Sequence, residues 1–150
     1  MLSRFLMIVF AFAILLGGTF FFLSDSSYQN SLQSRVYYFL GNYQEAYDLA
    51  KSAHDEDSYN KMAFTVMTQS KIALKYEKYI EQGNEYFKTI DEISSRDKVT
   101  LADKSKVKLM CEIMMDEYQT LVPTPLTDEK LQINAGIIKK KFEQLYAELF

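Results

Sequence analysis

The chain is poor in the residues that interrupt helices or build covalent and catalytic sites. Its 150 residues include two prolines, five glycines, one cysteine, one histidine and no tryptophan. A single cysteine excludes an intrachain disulfide, and the scarcity of proline and glycine favours long helices. The net charge of −3 provides no basic surface of the kind that nucleic acid requires, so we expect no nucleic-acid partner.

One long uncharged stretch, Phe5–Leu23, stands near the start of the chain. As a helix it is long enough to cross the hydrocarbon core of a bilayer. Arg4 precedes it and the next basic residue is Arg35, so the positive-inside rule predicts a cytoplasmic N-terminus. We therefore predict an N-terminal transmembrane anchor over residues 1–24 and one domain over residues 25–150. The anchor would cross the bacterial inner membrane once, and the domain would lie in the periplasm.

Two other interpretations of this stretch stay open. A signal peptide cleaved near residues 24–27 would release a secreted protein, although the run is longer than usual and ends in bulky residues where cleavage needs small ones. A buried core helix is the third interpretation, but such helices usually carry a polar face, and this run has none.

After residue 25, apolar residues recur at helical spacing and predict six helices in three antiparallel hairpins. The predicted helices cover Tyr28–Leu40, Tyr43–Ala53, two segments within Tyr59–Ile93, Val99–Val122, and a last helix capped by Thr127 or Asp128. A turn is expected within Leu74–Tyr79. Gly83, in the middle of an amphipathic pattern, predicts a close helix crossing.

The first predicted hairpin resembles a known repeat. Leu40–Ala46 reads LGNYQEA and is followed by Ala53 and an acidic turn. This pattern resembles the second half of a tetratricopeptide repeat (TPR), in which a glycine makes the turn, an aromatic residue opens helix B and small alanines let helices A and B pack closely. The matching positions are Tyr37, Gly41, Tyr43, Ala46 and Ala53.

The resemblance implies an all-α fold, a TPR-like solenoid of helical hairpins following the transmembrane helix. Proteins of this family usually bind another protein or a peptide in the groove lined by their A helices. If this chain does the same, the resemblance places the partner against Tyr28, Arg35, Tyr38 and Gln69. The last helix carries its apolar residues at heptad spacing, which is typical either of a packed helix that caps the array or of a helix that binds a partner.

No pattern in the sequence indicates catalysis. His54 is expected to cap a helix C-terminus, and Cys111 to be a small buried hydrophobic residue. Asp55–Asp57 lacks the glycine and alternating ligands of a calcium loop. Glu112, Asp116 and Glu117 have no second ligand-bearing segment to close a metal site. We expect no enzyme, cofactor or metal; an enzyme would need these groups to converge in a pocket.

These observations predict a membrane-anchored periplasmic adaptor or scaffold that mediates protein–protein interaction within a cell-envelope assembly. The accessory disks of the bacterial flagellar motor offer an analogy of overall design. The expected partners are other envelope proteins, with the membrane contacted through Phe5–Leu23 and an oligomer within a larger complex possible. The alternative is a secreted or translocon-associated periplasmic chaperone-like binding module.

Overall fold

The computed structural model describes residues 7–14, 16 and 26–150, and the regular structure in these ranges is helical throughout. Residues 7–14 and 16 are helical and form α1. The later helices are α2 (Ser26–Phe39), α3 (Tyr43–Glu56), α4 (Lys61–Ser94), α5 (Leu101–Gln119) and α6 (Glu129–Leu149). The all-α part of the predicted fold class is thus confirmed for the described ranges. The predicted domain boundary after residue 24 lies outside them.

The predicted transmembrane helix is contradicted. Within residues 7–14, 16 and 26–150, no helix is both long and apolar enough to cross a bilayer. Residues 5, 6, 15 and 17–23 of the predicted span lie outside the described residues. The single-pass inner-membrane location, with the C-terminal part in the periplasm, was inferred from that span and is wrong with it.

The chain divides into two compact units, Met1–Ser70 and Lys71–Phe150. The boundary falls inside α4. The first unit therefore contains α2, α3 and the first ten residues of α4, and the second contains the rest of α4 with α5 and α6.

A glycine turn joins α2 to α3 in the first unit, as the sequence predicts. Gly41 has a φ of +81°, in the left-handed region that side chains with a Cβ rarely adopt. Two hydrogen bonds close the end of α2: Asn42 N–H donates to the Tyr37 carbonyl at 2.9 Å, and Gly41 N–H to the Tyr38 carbonyl at 3.1 Å. This pair is the Schellman motif, which reverses the chain and satisfies the last carbonyls of the helix.

Replacing Gly41 should therefore cost conformational energy alone, because a Cβ built there has no atom within 4 Å. We expect Gly41→Ala to lower the free energy of unfolding by about 1–2 kcal/mol. Gly41→Asn is the matched control and should cost less, since asparagine tolerates the left-handed region. Urea unfolding followed by circular dichroism measures both; equal costs for the two variants would contradict this account of the turn.

A buried polar junction ties together the start of α2, the end of α3 and the start of α4. Ser27 Oγ donates to the Ala53 carbonyl at 2.9 Å and accepts from Asn60 Nδ2 at 3.0 Å. The same asparagine caps α4, because its Oδ1 accepts from Ala63 N–H at 3.0 Å. One side chain thus caps a helix and fixes that helix to its neighbours.

Two variants of Asn60 separate these roles. Asn60→Ala loses the cap and the bond to Ser27, and we expect it to cost about 2 kcal/mol of unfolding free energy. Asn60→Asp keeps the capping oxygen and loses only the donor, so it should cost about half as much. Thermal and urea unfolding measure the difference; an Asp variant as unstable as the Ala variant would show that the cap contributes nothing.

The second predicted hairpin is wrong. Instead of a turn within Leu74–Tyr79, α4 is one continuous helix of 34 residues. The segment that was expected to turn has no glycine or proline, and its lysine, glutamate and leucine residues favour a helix. The predicted array of three hairpins is therefore not what the chain forms.

The second unit is a bundle of three helices in which α5 runs antiparallel to α4 and α6 parallel to it. Its core includes the buried side chains of Met114, Ile138 and Phe142. The predicted close crossing is confirmed at Gly83, where an added Cβ would lie 2.6 Å from Ile138 Cγ2. Of the two predicted caps of α6, Thr127 and Asp128, the cap is Asp128, whose Oδ1 accepts from Lys130 N–H at 2.8 Å.

Candidate protein-binding surface

One face of α2 is buried although it is lined by serines. Ser27, Ser31 and Ser34 recur at spacings of four and three, and each is at most 2% exposed. Ser31 Oγ donates to the Tyr28 carbonyl at 2.9 Å and Ser34 Oγ to the Ser31 carbonyl at 2.8 Å, so these hydroxyls are satisfied within their own helix. The packed face of α3 is also made of small residues, since its alanines are fully buried.

The large apolar side chains of α2 point the other way. Leu32, Val36 and Phe39 are 42%, 58% and 73% exposed, and Leu40, the residue directly after the helix, is 69% exposed. An apolar stripe at helical spacing usually faces the core, but here small side chains on both helices let α2 and α3 approach closely and leave the larger ones outside. We define the α2 outer face as Tyr28, Leu32, Arg35, Val36, Phe39 and Leu40, which are all exposed.

The α2 outer face carries one charge. Arg35 is the only charged residue in the 14 residues of α2, which contain no carboxylate. Its guanidinium carbon lies 5.6 Å from the centroid of the Phe39 ring, within range of a cation–π contact. The surface is therefore apolar, with a single cation beside its most exposed aromatic side chain.

The structure separates the four residues predicted to contact a partner. Tyr28 and Arg35 are seven residues apart on the α2 outer face and exposed. Tyr38 lies on the other side of α2, where its ring centroid is 5.4 Å from that of Tyr43 and the side chain packs against the cluster of Ala46, Ala50 and Val66. Gln69 is a partly buried residue of α4. Their roles in binding stay predictions.

The positions that carry the TPR resemblance are placed as follows. Gly41 makes the turn, and Tyr43, Ala46 and Ala53 are buried on α3 at 5%, 0% and 0% exposure. The Tyr37 side chain is 36% exposed. The predicted close packing of the first hairpin is thus present at these alanines.

The candidate catalytic residues His54 and Cys111 belong to different units. The ring of His54, in the last turn of α3, has its centroid 5.6 Å from that of Phe64. Its Nδ1 is buried and has no hydrogen-bond partner among the described residues, so the predicted C-terminal cap is not made through this atom. Cys111 is fully buried, as predicted. The pKa of its thiol is raised, mainly by burial and to a lesser extent by the negative charge of Glu112. A buried thiol with a raised pKa is a poor nucleophile.

The carboxylates singled out by the sequence have other partners. Asp55 pairs with Lys51, Glu56 accepts a hydrogen bond from Ser26, and Asp57 Oδ1 accepts from Tyr59 N–H at 2.9 Å. Glu112 accepts from the Tyr146 hydroxyl at 3.3 Å and Glu117 from Gln82 Nε2 at 3.4 Å. Within the part of the chain that the structure describes, no group of three such side chains is arranged to hold a metal ion.

No protein-family model matches the chain, and neither a curated protein nor a solved structure matches it significantly. The apolar spacing predicts a helix through Leu32, Val36, Phe39 and Leu40 but does not indicate that these side chains are exposed. The signal was the serine stripe on the same helix, since buried serines at helical spacing next to an alanine-lined helix indicate close packing.

Proposed function

We propose that this chain is a non-enzymatic binding module, and that the α2 outer face docks an amphipathic helix of another protein. The observation that carries the proposal is the exposure of Val36, Phe39 and Leu40 on a helix whose opposite face is already buried against α3. Contiguous exposed apolar side chains of this size are typical of interaction sites. Because α2 packs on α3 through its serine face, the stability of the helix does not require these exposed apolar side chains.

The spacing on the α2 outer face favours a helical partner. Tyr28, Leu32, Arg35 and Phe39 recur at four, three and four residues, so they form a ridge along three turns. Such a ridge fits the apolar stripe of an amphipathic helix, which presents anchors at i, i+3, i+4 and i+7. Because Arg35 is the one charge on α2, the partner should carry a carboxylate beside its apolar stripe.

The surface is held in place by the fold, which lowers the entropy lost on binding. The Gly41 turn fixes the C-terminal end of α2, beside Phe39 and Leu40. The Ser27–Asn60 junction fixes its N-terminal end. A partner therefore meets a helix that is already ordered at both ends.

The TPR resemblance belongs to this proposal as a local likeness of the α2–α3 hairpin. The Gly41 turn and the buried Ala46 and Ala53 support it. In that family the A helix provides the binding surface, and α2 occupies the position of helix A. The envelope setting is not part of the proposal, because it was inferred from the transmembrane helix that the structure contradicts.

The test selects peptides that bind the full chain from a displayed library of random sequences, so no partner has to be known in advance. We expect the selected peptides to share apolar residues at spacings of three and four, with acidic residues beside them. Their affinity should fall at least about 30-fold in Phe39→Asp, which replaces the most exposed aromatic side chain of the α2 outer face with a carboxylate; truncation of an aromatic anchor typically costs about 2 kcal/mol or more.

The matched control is Tyr59→Asp, the same kind of change at an aromatic residue that is 91% exposed between α3 and α4. It should leave the affinity unchanged. Selected peptides that bind Phe39→Asp as tightly as the unmodified chain would overturn the proposal. Peptides with no common pattern would contradict the helical partner and favour a chaperone-like module.

A further inference from the structure

The second unit contains an apolar cleft of about 270 Å³ at one end of its three-helix bundle. The end of α4, the start of α5 and the end of α6 form its walls. Ile93 and Val107 are buried at the floor, with 3% and 5% exposure. Val99, Leu149 and Phe150 line it as exposed rim residues.

The segment that carries Val99 is braced against α5. Thr100 and Asp103 form a capping box, in which Asp103 N–H donates to Thr100 Oγ1 at 3.1 Å and Thr100 N–H to Asp103 Oδ2 at 3.0 Å. Arg96 Nη1 lies 2.8 Å from Asp103 Oδ1 and ties the preceding loop to the same carboxylate. Hydrogen bonds from Thr100, and then the nearby Arg96, lower the pKa of Asp103 and keep it charged. The cleft wall is thus fixed before any ligand arrives.

One lining residue is charged. Lys104 is exposed at the edge of the cleft and has no ion-pair partner among residues 26–150. Ser94, the remaining polar residue of the lining, donates its hydroxyl to the Asp91 carbonyl at 2.9 Å. Lys108, one turn further along α5, is 3.9 Å from Glu112 and lies over the Phe150 ring at 5.9 Å. An apolar floor with one ammonium at its edge is complementary to an amphiphile with an anionic head.

We propose that this cleft binds a medium-chain aliphatic carboxylate, with the chain over Ile93 and Val107 and the carboxylate beside Lys104. The volume of about 270 Å³ lies just below the usual range for drug-sized ligands, about 300–1,000 Å³, which favours a small linear acid. The site lies in the second unit and shares no residue with the α2 outer face, so it goes beyond the proposed docking of a partner helix.

The test is an amide NMR titration of the full chain with decanoate and with 1-decanol, each below the concentration at which it aggregates. We expect saturable shifts at Val99, Lys104 and Val107 with decanoate, and weaker binding of the uncharged alcohol. Lys104→Gln should weaken decanoate binding about three- to fivefold and leave 1-decanol unchanged, as for the loss of an exposed ion pair. Lys106→Gln, an exposed lysine of α5 outside the cleft lining, is the control and should change neither affinity.

A second variant tests the apolar part of the cleft. Val99→Trp should fill the rim and weaken both ligands, while its unchanged amide spectrum elsewhere shows that the bundle is intact. No saturable shift with decanoate, or equal binding of decanoate by the unmodified chain and by Lys104→Gln, would overturn the proposal. Phe39→Asp should bind decanoate normally. Failure of the cleft to bind its ligand is therefore distinguishable from failure of the α2 outer face to dock a helix.

Discussion

Replacing Phe142 with alanine is expected to lower the free energy of unfolding by about 3–5 kcal/mol. Phe142 is fully buried in the bundle of the second unit. Its ring stacks on that of Phe87, with the centroids 4.2 Å apart and the planes 13° from parallel. The substitution leaves a cavity that helices held by close contacts cannot fill. Urea unfolding followed by far-ultraviolet circular dichroism measures the change.

The control makes the same substitution at an exposed phenylalanine. Phe39→Ala removes a side chain that is 73% exposed and should change stability by no more than about 0.5 kcal/mol. Together the two variants separate the ring that stabilises the fold from the ring available to a partner. A large loss of stability in Phe39→Ala would show that the α2 outer face belongs to a core, and a small loss in Phe142→Ala would contradict the packing of α6.

The second large effect is expected at Gly83. A Cβ at this position would lie 2.6 Å from Ile138 Cγ2 and 3.1 Å from Met114 Cε, so α4 and α6 would have to move apart or Ile138 would have to change rotamer. We expect Gly83→Ala to cost about 1–3 kcal/mol in spite of the better helix propensity of alanine. Combining it with Ile138→Ala should cost less than the sum of the two single changes, because the second removes the clashing methyl group.

Gly136 of α6 provides the matched control. A Cβ there meets only the Tyr118 hydroxyl, at the ordinary contact distance of 3.8 Å. Gly136→Ala should therefore stabilise the chain by up to about 1 kcal/mol through helix propensity alone. The sign of the effect should differ between the two glycines in the same unfolding experiment; the same sign at both would show that the close crossing at Gly83 does not determine the cost.

Several features were predictable because the signal is local. Gly41 and the small residues of α3 mark a turn and a close packing that depend on neighbouring residues alone. Asp128 precedes an apolar pattern, which is the usual position of a helix cap. Gly83 interrupts a good helical pattern without a break in periodicity, and this combination indicates a close approach. Each of these predictions is confirmed by the structure.

The features that were missed depend on tertiary contacts. Serine can face either a core or solvent, so the pattern of α2 does not show that Ser31 and Ser34 are buried while Val36 and Phe39 are outside. The Ser27–Asn60 junction joins residues 33 positions apart, and no local pattern indicates it. The turn predicted within Leu74–Tyr79 was wrong because this segment has no glycine or proline to break the helix, and α4 continues through it.

The measurement that tests the central proposal most directly is photocrosslinking of a selected peptide to the full chain from single positions. A photoreactive phenylalanine is placed at Val36 on the α2 outer face, or at Tyr59 as the control outside it. We predict a crosslink at Val36, located by mass spectrometry on the apolar stripe of the peptide, and none at Tyr59. A crosslink from Tyr59 with none from Val36 would show that the partner binds elsewhere and contradict the assignment of the α2 outer face.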